Sequence, residues 1–214
     1  DPLRVLDVTH PDALAWAMAN LSRLKADGVD FFKLDFLYAT AFDGVRHDPS
    51  ITGTGALKAA LVAVFNTLGH VRVNLCGVPW LHAALAPMSS IRIGGDVASA
   101  LGDHGFVYVA GAVRNYLARN FGPLAVRADI DQFWLQPHTG AQLRTALTFQ
   151  ALTPRTFALA DDFAALSADQ KAALTQAIQL APEFDADVRP MPLDPFFEAG
   201  RTHLSSPAIE LLTD

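Results

Sequence analysis

The stretch GVDFFKLDFLYA, residues 28–39, decides how the chain is read. A glycine opens it, an apolar run of strand length follows, and within that run stand one lysine, Lys33, and one aspartate, Asp35. Residues two apart in a strand point to the same face. A strand that otherwise reads as fully buried therefore carries a cation and an anion side by side on one face, close to its carboxyl end.

Working outward, the same grammar repeats. Upstream, Leu14, Ala17, Met18, Leu21 and Leu24 recur at three- and four-residue intervals after a THPD start, which predicts an amphipathic helix that Gly28 ends. Downstream, TGALKAALVAVFNTLG (54–69) is helical in pattern, and VRVNLCG (71–77) is strand-like. SIRIGGD (90–96) and LAVRADID (124–131) are further strand candidates. VYVAGAVRNYLARN (107–120), GAQLRTALTFQAL (140–152) and SADQKAALTQAIQLA (167–181) are helical, with a short RTFALAD (155–161) between the last two. About five short strands alternating with helices predict an α/β protein with a parallel sheet. After Pro182 the texture changes to PEFDADVRPMPLDPFF, which predicts an exit from this domain or the first strands of another.

Composition narrows the function. With 214 residues, 51% of them hydrophobic, the chain can build one sizeable core. A net charge of −6, with Lys and Arg scattered, offers no basic field for a phosphate backbone, so nucleic acid is not expected as a partner. No apolar run reaches the length of a membrane span, and the single cysteine suits a reducing, cytoplasmic compartment. The seven histidines form no HxH or HxxxH pair with ligand spacing, so no metal is expected. GTG at 53–55 precedes a helix but lacks the third glycine of a dinucleotide fingerprint and the lysine of a P-loop, and reads as a helix start.

Polar chemistry gathers where strands end. Asp35 closes the first strand, Cys76 and Gly77 the second, Asp96 follows the third, and Asp129 and Asp131 lie at the fourth. Active sites of barrels and open α/β sheets form at the carboxyl ends of strands. Asp35 and Asp96 stand on strands separated by one βα unit, so in a barrel they would face each other across the mouth. Two carboxyl groups so placed suit glycoside hydrolysis, one as nucleophile or base and the other as acid. Lys33 would hold Asp35 anionic, and Arg92 could bind substrate hydroxyls or tune the acid. The plainer reading is that Asp35 caps the next element or pairs with Lys33, Asp96 ends a Gly-Gly turn, and Cys76 is a small buried hydrophobe. Spacing leaves both readings open.

Taken in order, LDVTHPDALAW, GVDFFKLDFLYA, CGVPW and IRIGGDV resemble the α-galactosidases (melibiases) of glycoside hydrolase family 36 in clan D. The likeness continues through ADIDQFWLQ, similar to the family's Asp-Pro-Asp strand with Ile130 in place of the proline, and LADDFAALSADQKAAL, similar to its last barrel unit. The resemblance implies a (β/α)8 TIM barrel, of which residues 1–182 would supply strands 4–8 with their helices. Residues 183–214 would then form a linker and the start of a C-terminal β-sandwich. It implies a retaining double displacement on terminal α-D-galactosyl groups, with Asp35 as nucleophile and Asp96 as acid/base. Lys33 and Arg92 match residues that hydrogen-bond the sugar, and Cys76 and Gly77 match a pocket-lining pair. No cofactor is implied, and the partner is a galactosyl oligosaccharide. A transglycosylase of the raffinose-synthase kind would use the same carboxylates, while an inactive carbohydrate-binding fragment is the reading outside enzymology. Exposed strand edges in a partial barrel would favour a homo-oligomer.

Overall fold

A lysine in the last turn of the first helix caps the end of the second. The computed structural model describes residues 4–79, 90–96, 109, 111–112, 115, 127–129, 131–138, 140–152, 158–180, 189–190, 202–205 and 210–213. Helix α1 spans Pro11–Ala26, with proline at its first position and His10 as N-cap, its ring nitrogen accepting from the Asp12 N–H. It ends through Gly28, whose φ of +97° is open to a residue without Cβ. Lys25, in its last turn, donates to the carbonyls of Thr67 (3.3 Å) and Leu68 (2.9 Å) at the end of α2, Gly53–Leu68. A cation there satisfies carbonyls that the helix cannot and opposes the negative end of its dipole.

Helix α2 starts where the GTG reading puts it. The Thr52 hydroxyl accepts from the Gly55 N–H at 3.1 Å, the bond expected of an N-cap. Gly53 permits the close approach of the 3-10 turn Leu37–Ala41, since a Cβ there would run into the Ala41 carbonyl. The helix buries Ala56, Leu57, Leu61, Val64 and Leu68, one stripe at helical spacing. Each fully buried leucine contributes about 2 kcal/mol. Helix α1 shows its apolar face only half-buried, with no residue fully buried and Trp16 65% exposed.

The chain divides into two compact units, Asp1–Arg92 with Leu124–Val126, and Ile93–Pro123 with Arg127–Asp214. In the first, strands β1 (Phe31–Leu34), β2 (Arg72–Leu75) and β3 (Ser90–Arg92) lie side by side in that order, all parallel. Register pairs Phe32 with Val73 and sets Leu34, Leu75 and Ile91 in one row. These rows are apolar, and Phe32, Val73, Leu75 and Ile91 are all buried. The opposite face carries Phe31 beside Arg72, then Lys33, Asn74 and Ser90 in one row. The expectation that β1 is buried on both faces is corrected here: Lys33 is exposed and Phe31 is 41% exposed, with the Arg72 guanidinium 5.9 Å from its ring centre. β1 has a neighbour only in β2 among the described strands, so its second face has less to pack against than a central strand has.

The second unit holds β4 (Arg127–Asp129), helices α3 (Gly140–Leu152) and α4 (Ala168–Leu180), and the antiparallel strands β5 (Arg189–Pro190), β6 (Thr202–Ser205) and β7 (Glu210–Thr213). Helix α4 opens with a capping box. The Ser167 hydroxyl accepts from the Gln170 N–H, and the Gln170 side-chain oxygen accepts from the Ser167 N–H. The amide nitrogen of the same buried Gln170 donates to the carbonyls of Leu135 and His138, at 2.9 and 3.2 Å. Asp161 completes the tie by accepting from the N–H groups of Leu135 and Gln136. A parallel bridge joins Phe133 to Leu159, so RTFALAD does contribute a strand-like contact. Phe133, Leu135, Leu147 and Phe149 form the centre of this core. Ile130 and most of residues 107–120 and 183–214 lie outside the described residues.

Candidate active site

The register that buries Leu34, Leu75 and Ile91 also dictates what comes next. One residue further along each strand are Asp35, Cys76 and Arg92, a row on the same face as Lys33, Asn74 and Ser90. The pairing persists past the strands, because the Cys76 N–H donates to the Leu34 carbonyl at 2.8 Å and the Leu37 N–H to the Cys76 carbonyl at 3.2 Å. Beneath this row the buried Asn74 amide donates to the Ser90 hydroxyl at 2.9 Å, which locks β2 against β3. Lys33, Asp35, Cys76 and Arg92 thus come together through sheet geometry at the carboxyl end of three parallel strands.

Asp35 is solvent-exposed, and its carboxylate is well supplied with donors. The Cys76 thiol hydrogen-bonds it and is the main influence holding its pKa below the ordinary carboxylate value. Partial burial works the other way, and the Phe36 N–H, at 2.7 Å, and then the charges of Lys33 and Arg92 add to the lowering. The lysine that the sequence offers as guardian of the anion is therefore a lesser contributor than a thiol 41 residues further on. The aspartate in turn acts on the cysteine. Burial first, and then the hydrogen bond and charge of Asp35, push the Cys76 pKa up to about 11, against the pull of Arg92 and Lys33. Cys76 is half-buried rather than a buried core hydrophobe.

Backbone conformation fixes this arrangement. Phe36 adopts φ of +53°, a left-handed conformation that costs a bulky residue on the order of 1 kcal/mol, and this turn brings its N–H onto Asp35. Gly77 also lies in the left-handed region, at φ +75°, and a Cβ there would overlap the Tyr38 ring. The Tyr38 ring meets Phe42 at 5.6 Å and Phe36 at 6.0 Å, so exposed aromatic surface borders the aspartate. Gly77→Ala is expected to lower stability by about 2 kcal/mol or more through backbone strain and displacement of Tyr38. The urea unfolding midpoint measures it, and an unchanged midpoint would mean that the ring moves aside freely.

Asp96 belongs to the second unit, where it follows the bend at Gly94 and Gly95 and is exposed. In the same unit Asp129 and Asp131 are buried at 3% exposure, and the Asp129 carboxylate accepts from the Asp131 N–H at 2.8 Å. Asp131 has φ of +82°, so that bond holds a turn. Among the described residues no three His, Cys, Asp or Glu side chains converge on a cation position, and no helix is long and apolar enough to cross a membrane.

No protein-family model matches the chain. Among solved structures it is similar to the α-galactosidase TtGalA of Thermus thermophilus in complex with stachyose, with a TM-score of 0.59 and 23% identity, over 80% of this chain and 39% of that one. It is also similar to the same enzyme in complex with p-nitrophenyl α-D-galactopyranoside, with a TM-score of 0.61 and 21% identity, over 96% of this chain and 42% of that one. The fold is that of part of an α-galactosidase. The chain spans about two-fifths of the length of the α-galactosidase that it matches, and at this level of identity the likeness is one of fold. Helices around a parallel sheet, as described for the first unit, agree with the TIM barrel of those α-galactosidases.

Proposed function

We propose that the protein is a retaining glycoside hydrolase that releases terminal α-D-galactosyl groups from galacto-oligosaccharides. The observation that carries this reading is the row Asp35, Cys76, Arg92, with Lys33 beside it, at the carboxyl ends of parallel strands within an α-galactosidase fold. An ionised aspartate on the open face of a sheet is a nucleophile in waiting. Asp35 attacks the anomeric carbon as Asp96 protonates the departing glycosidic oxygen, which gives a covalent β-galactosyl ester on Asp35. Asp96 then takes a proton from water, and the water attacks the same carbon to release galactose with its α configuration retained. Lys33 and Arg92 hydrogen-bond the sugar hydroxyls, while Cys76 and Gly77 line the pocket.

In this reading residues 1–182 supply strands 4–8 of a (β/α)8 barrel, and residues 183–214 open a C-terminal β-domain. The share of TtGalA matched and the antiparallel pairing of β5, β6 and β7 support that division. The test uses the two ligands of the similar structures as substrates. Protein containing the whole barrel should hydrolyse stachyose and p-nitrophenyl α-D-galactopyranoside, and proton NMR of the fresh product should show α-galactose before mutarotation. β-Galactose appearing first would overturn the retaining mechanism, and transfer of galactose to sugar in preference to water would favour a transglycosylase. No turnover of either substrate would overturn the glycosidase reading itself.

A further inference from the structure

Cys76 stands between Asp35 and Arg92 in the row that crosses the three strand ends, on the same face of the sheet as both. Its backbone is held on both sides, by the bond to Leu34 and by the bond from Leu37, and Gly77 turns the chain away immediately after it. The backbone therefore keeps Cys76 in register with Asp35 and on the same face of the sheet. We propose that Cys76 is a positioning residue for Asp35: its S–H donates to the carboxylate and holds it ionised on the open face of β1, while the carboxylate keeps the proton on the sulfur. Its catalytic meaning rests on Asp35 being the nucleophile proposed above. The pair itself rests on the register of β1 against β2, which sets Asp35 and Cys76 side by side on one face whatever the chemistry of the site.

The physical logic is reciprocal. A thiol is a weak donor in isolation, yet a hydrogen bond to a charged acceptor is roughly twice as strong as a neutral one. Ionising the sulfur beside an existing carboxylate would set two anions together, which opposes loss of the thiol proton. The charged groups that face the pair are Lys33 from β1 and Arg92 from β3, and both favour the anionic form of either partner. The thiol stays protonated through the working range because its pKa, pushed to about 11, lies well above it. Once galactosylation has neutralised Asp35, this restraint on the sulfur is released.

Because the chain has one cysteine, alkylation by iodoacetamide reads Cys76 alone. The thiolate displaces iodide, so the rate follows the ionised fraction of the sulfur. In the 214-residue chain, Asp35→Asn should raise the alkylation rate at pH 9 by about threefold to tenfold, since the opposing charge is gone. Lys33→Met should lower it by about twofold, because a charge favouring the thiolate is removed. A loosened or unfolded chain would speed alkylation in both variants, so the opposite signs identify the pair. Equal rates in Asp35→Asn and the parent would overturn the proposal. In catalysis, Cys76→Ala should raise the Asp35 pKa and shift the acid limb of kcat/KM to higher pH, and Cys76→Ser, which restores a donor, should shift it back. An acid limb unmoved by Cys76→Ala would also overturn it. Absence of turnover in every form would count against the glycosidase reading and leave alkylation to decide the thiol–carboxylate pair.

Discussion

Asp35→Gly should reduce hydrolysis of an aryl α-galactoside on the order of 10^4-fold or more, the scale at which removal of an enzymatic nucleophile is felt. Azide should then restore cleavage and yield β-galactosyl azide. The reason is spatial: glycine vacates the β face of the sugar, and a small anion can enter where the carboxylate stood and attack the same carbon. With Asp96 as the acid proposed above and left untouched, the glycosidic bond would still break with its help. Configuration inverts in this single displacement, so an α substrate gives a β azide. Isolation of α-galactosyl azide from this variant would reverse the roles, because that product arises when azide attacks an intact β-galactosyl enzyme. Rescue is the informative part of the result. A variant that is merely misfolded loses activity, but it does not recover it with a defined stereochemistry.

The surroundings of Asp35 show which parts of such a site a sequence carries openly. Helix α1 and its stop at Gly28 follow from apolar spacing and a glycine, and α2 begins at the GTG that has too few glycines for a nucleotide loop. These are local signals, settled within a turn or two of chain. The two faces of β1 are less legible because Phe31 and Phe32 are adjacent aromatics, which hides the alternation that would have marked Phe31 as outlying. The Asp35–Cys76 bond is less legible still. It depends on the register between β1 and β2, which a single sequence does not state. A signal exists nonetheless: if KLD and NLC end neighbouring parallel strands, the aspartate and the cysteine fall in one row. The Ser-x-x-Gln spacing at Ser167 and Gln170 likewise announces a capping box, but not that the same glutamine holds the loop at Leu135 and His138. Asp129 and Asp131 illustrate the opposite limit. Their place at a strand end marks them as candidates, yet burial and the bond between them give Asp129 a turn to hold.

For Asp96 the expected result is a split between substrates rather than a uniform loss. In Asp96→Ala, an α-galactoside with a good leaving group, such as a nitrophenolate, should form the galactosyl enzyme at close to the parental rate, because that oxygen departs without a proton. Stachyose, whose leaving group is a sugar alkoxide, should lose on the order of 10^3-fold or more in kcat/KM, within the range that general acid catalysis supplies. The second step suffers for both, since water must now attack without a base. The nitrophenyl substrate should therefore show a burst of one equivalent followed by slow turnover, with a depressed KM because the intermediate accumulates. Azide, which needs no general base, should speed that second step and release α-galactosyl azide, the opposite anomer to the one expected from Asp35→Gly. The two variants thus test each other. If Asp96→Ala slows nitrophenyl and sugar leaving groups equally, with no burst, Asp96 is not the acid; its exposure after the Gly94–Gly95 bend would then be that of a turn residue, and the proton would have to come from another group at the strand ends.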